Sequence, residues 1–265
     1  MTENDSGFVG SIPEIYDTYL VPLIFEAYAN DLAERTAALS PKAVLETAAG
    51  SGVLARALAP RLAPDARYFV TDLNQAMLDH ATSKQGPDGR ITWQQADALD
   101  LPFDKATFDA VLCQFGVMFF PDRVAGYAEA RRVLKPGGSL IFNVWDKIET
   151  NEFADVVTQA AATVFPDDPP RFIARTPHGY HNFELIQDEL ILAGFPKSRS
   201  TCWKKPAPHP PHAIPPSPIV RALRCETRSN LGMRAYLTMS PMKQPKPFRR
   251  ASAAAQFPGR FEDML

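Results

Sequence analysis

Three carboxylates stand where short apolar runs of the chain end. Glu46 follows residues 43–45, Asp72 follows residues 67–71, and Asp97 ends a third such run. Parallel strands present their carboxyl ends at one edge of a doubly wound sheet, where ligands bind, so the three acids are predicted to meet there. An acid at the second strand end can accept both ribose hydroxyls of a nucleoside, and one at the third can accept from an exocyclic amine. Taken singly, each acid is also explained as a solvated loop residue.

A turn of small residues, 47–52, follows Glu46 and leads into a predicted helix. Small side chains let the backbone approach a ligand closely, and the free N–H groups of a helix N-terminus attract a carboxylate or phosphate. Leu73, directly after Asp72, is expected to pack against an adenine face. By itself the turn is weak evidence, because an ordinary turn without a ligand would have the same composition.

Short apolar runs alternate with helical patterns through residue 200, which predicts an α/β fold: a doubly wound, mostly parallel sheet with helices on both faces. The predicted strands are 43–46, 67–72, 91–96, 108–113, 139–144 and 198–203. The predicted helices are 53–59, 74–83, 124–134, 152–165 and 183–193. Residues 135–138, Lys-Pro-Gly-Gly, are predicted to form a turn.

These motifs resemble the class I S-adenosylmethionine-dependent methyltransferases, in particular the small-molecule C-methyltransferases of the ubiquinone/menaquinone type. The resemblance covers roughly residues 40–146 and implies a Rossmann-like methyltransferase fold. It also implies transfer of a methyl group from the sulfonium of S-adenosyl-L-methionine to a small-molecule acceptor by in-line displacement. The stretches that carry it are 44–52, 70–72 with Met77, 95–98 with 101–103, 108–111, 115–122 and 129–138.

The resemblance assigns the methionine part of the cofactor to Glu46 and to the turn residues Ala48, Gly50 and Gly52. It places Gln114 under the same part, near the sulfonium. Ala48 departs from the pattern, because the family usually has its first glycine there. A methyl group is tolerated at that position if the backbone φ is negative, and otherwise cofactor affinity is expected to drop.

The resemblance assigns the nucleoside part of the cofactor to the next two strand ends. Asp72 would bind the ribose and Leu73 would line the adenine. Asp97 would meet the adenine amine, with the backbone N–H of Ala98 nearby.

Three segments are predicted. Residues 1–39 form an N-terminal helical cap that Pro22 divides in two, residues 40–200 form the S-adenosylmethionine-binding domain, and residues 201–265 form a tail. An insert at 165–183 is expected to cover the carboxyl edge of the sheet together with the cap. The weak candidates for a general base are Tyr16 in the cap and His181 in the insert, which are also explained as a buried helix aromatic and a helix-entry residue.

Other functions on the same fold stay open. A nicotinamide-dependent oxidoreductase would want Gly-x-Gly-x-x-Gly after the first strand, but Ala55 holds the third glycine position counted from Gly50. A cofactor-binding protein without activity and an aminopropyl transferase are further alternatives.

Composition limits the partners. With 28 basic and 30 acidic residues, 45% hydrophobic residues and no apolar run of 18, the chain is predicted to be a cytoplasmic protein without a membrane span. Residues 1–200 carry 17 basic and 27 acidic side chains, which predicts that nucleic acid is not a partner. The three cysteines have no metal-ligand spacing, so no metal site is predicted, and the oligomeric state does not follow.

The last 65 residues differ from the rest, with 11 basic against 3 acidic side chains and 11 of the 25 prolines. They are predicted to be poorly ordered, with a short helix near 231–237 and no strand pair after Trp203, so that the last strand of the sheet is missing. A basic arm for nucleic acid or membrane is a further reading of the tail, weakened by its scattered charges. We also hypothesise that the tail is translated out of frame, because residues 221–230 can be back-translated so that a shifted frame reads Gly-Thr-Pro-Leu-Arg-Asn-Glu-Ile-Glu, which resembles the relatives' C-terminal helix.

Overall fold

One sheet organises the described part of the chain. The computed structural model describes residues 16–169, 171–196, 199–205, 220–226 and 234–240. The strands in these ranges are β1 Ala43–Glu46, β2 Arg67–Asp72, β3 Ile91–Gln95, β4 Phe108–Gln114, β5 Leu134–Trp145, β6 Arg199–Lys205, β7 Val220–Glu226 and β8 Arg234–Ser240. Their order in the sheet is β3-β2-β1-β4-β5-β8-β7-β6. The neighbours from β3 to β8 pair in parallel and β7 is antiparallel to both β8 and β6, which confirms the α/β fold with a mostly parallel sheet.

The helices in the described ranges are α1 Glu26–Ala37, α2 Val53–Leu58, α3 Gln75–Lys84, α4 Arg123–Val133, α5 Glu152–Val164, α6 Phe172–Arg175 and α7 Phe183–Leu192. Three of them begin at a side-chain cap. Asn74, Asp122 and Asn182 each accept a hydrogen bond from a backbone N–H of the first turn, which satisfies donors that the helix leaves open. These polar residues fix where α3, α4 and α7 start relative to the strands before them.

The core lies on both faces of the sheet, as a parallel sheet requires. Leu45, Val111 and Phe142 contribute to one buried cluster. Val44 and Ile141, on the opposite face, join a second cluster with the buried sides of α1 and α2. The strands are thereby held rigidly, and their carboxyl ends are the fixed platform for any site at that edge.

The cap differs from its prediction at Pro22. Residues Tyr16–Phe25 are wound as a π-helix that contains Pro22 and runs directly into α1. A proline inside an α-helix removes a hydrogen bond and clashes with the preceding turn. The chain meets this constraint with a wider helical winding up to Phe25, so the predicted break at Pro22 is wrong.

The predicted turn at residues 135–138 is also wrong. β5 starts at Leu134, and its pairing with β4 jumps from Phe108–Leu134 to Ala110–Ser139, so the Pro-Gly-Gly run is a bulge inside the strand. Gly137 has φ +86°, a conformation that suits glycine at a bulge.

Two further predictions are wrong at the end of the sheet, where strands β7 and β8 lie. Strands β7 and β8 lie after Trp203, and β8 pairs with β5, so the last strand is present. The predicted helix at 231–237 is wrong from Arg234 onwards, because residues 234–240 form strand β8, which pairs with β5 and β7. The prediction of a poorly ordered tail concerns 206–219, 227–233 and 241–265, which lie outside the described residues. Across the described ranges, no helix has the length and apolar character needed to cross a bilayer.

Candidate functional site

The predicted site residues gather at the carboxyl edge of the sheet. β1 pairs with β2 on one side and with β4 on the other, so Glu46, Asp72 and Gln114 end three adjacent strands. Asp97 follows β3, which pairs with β2. The predicted convergence of the three acids at this edge is therefore observed, with Asp97 at the outer side, and Gln114 lies at the same edge.

The turn after β1 is fixed between the neighbouring strands by backbone hydrogen bonds. The Thr47 N–H donates to the Leu112 carbonyl at 2.9 Å, and the Ala49 N–H donates to the Thr71 carbonyl at 3.0 Å. The Thr71 hydroxyl donates to the Glu46 carbonyl at 2.8 Å. The turn therefore has one position relative to β2 and β4.

Three residues of this turn have left-handed backbone. Gly50 and Gly52 have φ of +56° and +75°, which glycine adopts without strain. Ala48 has φ +51°, so the condition of a negative φ for a tolerable methyl group is not met. A left-handed conformation costs a non-glycine residue about 1–2 kcal/mol, so the turn stores strain at its start.

Asp72 joins the turn to helix α3. One carboxylate oxygen accepts the Gly50 N–H at 2.8 Å, and the other accepts the Asn74 N–H at 2.8 Å. Burial raises the pKa of Asp72, while these backbone donors work in the opposite direction. Leu73 beside it is 61% exposed and leaves an apolar surface at the edge.

Glu46 is the most deeply buried acid of the site, with 1% of its surface exposed. The Tyr68 hydroxyl donates to Oε2, and Oε1 has no partner among the described residues. Burial is the main cause that raises the pKa of Glu46 to about 8; the hydrogen bond from Tyr68 acts against it. In the protein without a ligand the carboxyl group is therefore mostly protonated at neutral pH.

Gln114 and Asn143 are paired neighbours on β4 and β5. The Gln114 amide donates to the Phe25 carbonyl at 3.1 Å, while its buried Oε1 has no partner in the described part of the chain. Asn143 Oδ1 accepts the Phe115 N–H at 2.8 Å, and its buried Nδ2 is likewise without a described partner. Sequence reasoning missed Asn143, which looks like any other residue of a buried strand.

Asp97 lies in a tight turn at the tip of β3. Its carboxylate accepts the Leu99 N–H at 2.9 Å, and the side chain is exposed. The Ala96 N–H donates to the Asp72 carbonyl at 3.0 Å, which holds the two tips together. Ala98 follows, half-buried, on the same turn.

Four aromatic rings fasten the cap to the tips of β4 and β5. Phe115 and Trp145 stack with centroids 4.0 Å apart and planes at 7°. Phe25 and Tyr28 meet both rings edge-on at 5.3–5.8 Å. Such contacts stabilise beyond the area they bury, so the cap is a fixed wall beside Gln114.

The insert brings two histidines to this wall. His178 is 5% exposed and its ring lies 5.8 Å from that of Trp145. Its Nδ1 lies 2.7 Å from the Asp146 carbonyl, and His181 Nδ1 lies 2.8 Å from the His178 carbonyl. A carbonyl only accepts, so each Nδ1 carries a hydrogen, and in the neutral ring of His178 the Nε2 then carries a lone pair.

These contacts add a histidine to the candidate bases. The hydrogen bond described for His181 is to the His178 carbonyl, and the ring of His178, which the sequence did not single out, packs beside Trp145 at the end of β5. For Tyr16 the structure describes only the backbone.

A charged cluster also missed by sequence reasoning links the cap to the turn. Arg56 donates to the Asp17 carboxylate at 2.6 Å and to the Ser51 carbonyl at 2.6 Å. His80 Nε2 lies 3.5 Å from the same carboxylate. These residues are far apart in the chain, so no local pattern could reveal the cluster.

The fold is similar to that of class I S-adenosylmethionine-dependent methyltransferases. Residues 44–138 match the family model described as "Methyltransferase domain". The predicted resemblance to the ubiquinone/menaquinone type is confirmed by relatives of that description.

Two relatives illustrate the similarity. The chain is 44% identical over 103 residues to a demethylmenaquinone methyltransferase of Deinococcus radiodurans, covering 38% of this chain and 42% of that protein. It is 27% identical over 168 residues to a ubiquinone/menaquinone biosynthesis C-methyltransferase of Saccharophagus degradans, covering 59% and 68%. The chain thus spans about two fifths of the length of the first of these relatives.

A solved structure supports the fold. A protein of Methanococcus maripaludis described as an S-adenosyl-L-methionine-dependent methyltransferase superposes with a TM-score of 0.54, at 22% identity, over 73% of this chain and 85% of that one. At this identity the likeness is evidence for the fold alone.

The residues present fit S-adenosylmethionine. The cofactor carries an ammonium group with three donors, and the unpartnered Glu46 Oε1 and Gln114 Oε1 are buried acceptors at adjacent strand tips. The turn between them is of small residues.

Proposed function

We propose that the chain transfers a methyl group from S-adenosyl-L-methionine to a small-molecule acceptor. The observation that carries the proposal is a pair of buried acceptor atoms that have no partner among the described residues, Glu46 Oε1 and Gln114 Oε1. Buried polar groups are almost always hydrogen-bonded in native proteins. Two such atoms on either side of one small-residue turn are best explained by a ligand that supplies donors.

The methionine part of the cofactor is assigned to Glu46, Gln114 and the turn residues Ala48, Gly50 and Gly52. Its ammonium group would donate to the two side-chain oxygens. Because a cation favours the charged form of a nearby carboxyl, binding would lower the raised pKa of Glu46.

The nucleoside part is assigned to the tips of β2 and β3. Each Asp72 oxygen already accepts one backbone N–H, and each keeps a lone pair for a ribose hydroxyl. Leu73 offers its exposed side chain to the adenine face. Asp97 and the Ala98 N–H would meet the adenine amine and ring edge.

When bound, the cofactor supplies a methyl group made electrophilic by the positive sulfur. The protein's own part is to align the acceptor with that carbon and to exclude water. The aromatic wall formed by Phe115 and Trp145 with the cap serves both purposes, and aromatic faces attract a cation.

A base is needed where the acceptor loses a proton from oxygen or nitrogen, whereas a thiolate or carbanion needs none. Tyr16 and His181 remain proposals for this base. His178 joins them because its Nε2 carries a lone pair and its ring lies on the aromatic wall. Burial lowers the pKa of His178, which keeps the ring neutral and able to accept at neutral pH.

The acceptor is proposed to be a small molecule enclosed by the cap and the 165–183 insert. The excess of acidic residues in 1–200 argues against a nucleic-acid acceptor. Relatives are described as methyltransferases of menaquinone and ubiquinone biosynthesis, so hydroxylated aromatic rings are the first acceptors to try.

A cytoplasmic location stays a prediction. The out-of-frame tail also stays a prediction, which resequencing of the gene would decide.

Isothermal titration tests the cofactor assignment. The chain is titrated separately with S-adenosylhomocysteine and with a nicotinamide dinucleotide. Saturable heat with the first alone supports the proposal. Saturable heat with the dinucleotide alone, or with neither, contradicts it.

A further inference from the structure

Gly116 occupies a position where the backbone does not require glycine. It lies two residues after Gln114, at the start of the short 3-10 turn Val117–Phe119, with φ −101° and ψ −38°. Any residue adopts these angles. The reason for a glycine must therefore be space.

The space at Gly116 is already filled from two sides. A Cβ added there would lie 2.6 Å from the Ala48 Cβ and 2.6 Å from the Cys113 Sγ. Real Cβ atoms do not approach this closely, since packed interiors leave no such overlap. The methyl group of Ala48 is therefore seated directly against the Gly116 backbone.

The contact joins the two loops that flank the unpartnered oxygens. Ala48 belongs to the turn after Glu46, and Gly116 belongs to the loop after Gln114. Ala48 is also held in a left-handed conformation, which directs its methyl group at this loop in spite of the strain. The distance between the two loops is therefore set by the contact of the Ala48 methyl group with the Gly116 backbone, which carries no side chain.

The loop after β4 is held from its other side. The Phe115 N–H donates to Asn143 Oδ1, and the Phe115 ring stacks on Trp145. A side chain at position 116 would push against a loop that is already anchored, so the strain would reach the turn and Gln114.

We propose that Gly116 is a positioning residue for the cofactor: its bare backbone seats the Ala48 methyl group and sets the distance between the cofactor turn and Gln114. This inference rests on the proposed function, because the cofactor is the molecule that needs that distance. Gly116 itself touches no reacting atom.

A set of variants separates the two contacts of Gly116. Cys113→Ala serves as the background, because it removes the Sγ atom from the overlap. Gly116→Ala is added to this background, first alone and then together with Ala48→Gly. The double variant Ala48→Gly/Cys113→Ala is the reference for the chain that carries all three substitutions. Gly89→Ala is the matched control, since a Cβ at Gly89 meets nothing within 4 Å.

The readout is the dissociation constant of S-adenosylhomocysteine by isothermal titration, with the thermal midpoint by circular dichroism. We expect Gly116→Ala to weaken binding at least tenfold in the Cys113→Ala background. Adding Ala48→Gly to that chain should restore the dissociation constant to within about threefold of the value for the Ala48→Gly/Cys113→Ala double variant. Gly89→Ala should bind as the wild type does. A purely structural role would lower the thermal midpoint without this recovery of binding.

Each outcome of this experiment either supports or overturns the inference. Unchanged binding in the Gly116→Ala chain, or loss that Ala48→Gly does not recover, overturns the inference and leaves the proposed function intact. If Gly116→Ala prevents folding, recovery of both folding and binding on adding Ala48→Gly supports the inference, and no recovery overturns it. A wild-type chain that does not bind S-adenosylhomocysteine overturns the proposed function and the inference with it.

Discussion

The tip of β2 differs from the tips of β1, β4 and β5 in how completely its polar groups are satisfied. At the tip of β2, Asp72 accepts two backbone N–H groups and the Thr71 hydroxyl donates to a carbonyl. At the other three tips, Glu46 Oε1, Gln114 Oε1 and Asn143 Nδ2 are buried without partners among the described residues. The proposed nucleoside half of the site is therefore organised in advance, whereas we propose that the ligand completes the methionine half.

This contrast makes the pH dependence of Glu46 the largest expected effect. Its pKa is raised from 4.5 to about 8 in the folded protein, so the folded state binds the proton more tightly than the unfolded state. The stabilisation is complete below pH 4.5 and is lost as pH rises to about 8, by up to about 1.4 kcal/mol per pH unit. Chemical denaturation of the ligand-free chain from pH 5 to 8 measures this slope.

Glu46→Gln sharpens the same prediction. The amide cannot ionise, so the slope between pH 5 and 8 should flatten, and Asp79→Asn on the exposed side of α3 should leave it unchanged. Titration of the wild type with S-adenosylhomocysteine at pH 7 in buffers of different ionisation enthalpy should reveal proton release, which Glu46→Gln abolishes. An unaltered slope in Glu46→Gln would show that another group titrates.

Asp72→Ala is expected to have the next largest effect, because it removes the acceptor of two backbone N–H groups as well as the proposed ribose contact. Binding of S-adenosylhomocysteine should weaken by about 1–3 kcal/mol. Asp79→Ala is the control acid. Unchanged affinity in Asp72→Ala, measured by titration calorimetry, would refute the ribose assignment.

Much of the sheet could be predicted from the sequence because its signals are local. Strands β1 and β2 are found at their predicted residues, since short apolar runs ending in an acid and a turn need no distant information. The bulge at 135–138 depends on pairing with β4, and β8 depends on pairing with β5. Pairings between residues far apart in the chain cannot be predicted from a local sequence pattern.

The site divides in the same way. The strand-tip acids Glu46 and Asp72 were predictable from their position after apolar runs, and Gln114 was predicted from the family resemblance. The sign of φ at Ala48 was not, because it follows from the hydrogen bonds that fix the turn between β2 and β4. Asn143 and His178 were missed because their roles arise from contacts with Phe115 and Trp145.

Ala48→Gly is expected to have a smaller effect in the wild-type background. Glycine adopts φ +51° without strain, although it also makes the unfolded chain more flexible. The net gain in free energy of unfolding should be about 1 kcal/mol or less. Urea denaturation of the two chains gives the difference, and a clear loss of stability would mean that the methyl contact outweighs the strain.

Leu73→Ser is the smallest expected change. The side chain is 61% exposed, so the stability of the ligand-free chain should stay within about 0.5 kcal/mol of the wild type. Binding of S-adenosylhomocysteine should weaken a few-fold through lost contact with the adenine. Leu192→Ser, at a comparably exposed leucine on α7, is the control that should alter neither quantity.

The central claim is that the tips of β1, β2 and β4 hold one S-adenosylmethionine molecule. A crystal structure of the chain with S-adenosylhomocysteine tests it most directly. The account predicts the ribose on Asp72 and the ammonium group within hydrogen-bond distance of Glu46 and Gln114. An adenosine bound away from these tips, with Glu46 Oε1 and Gln114 Oε1 still unpartnered, would contradict it.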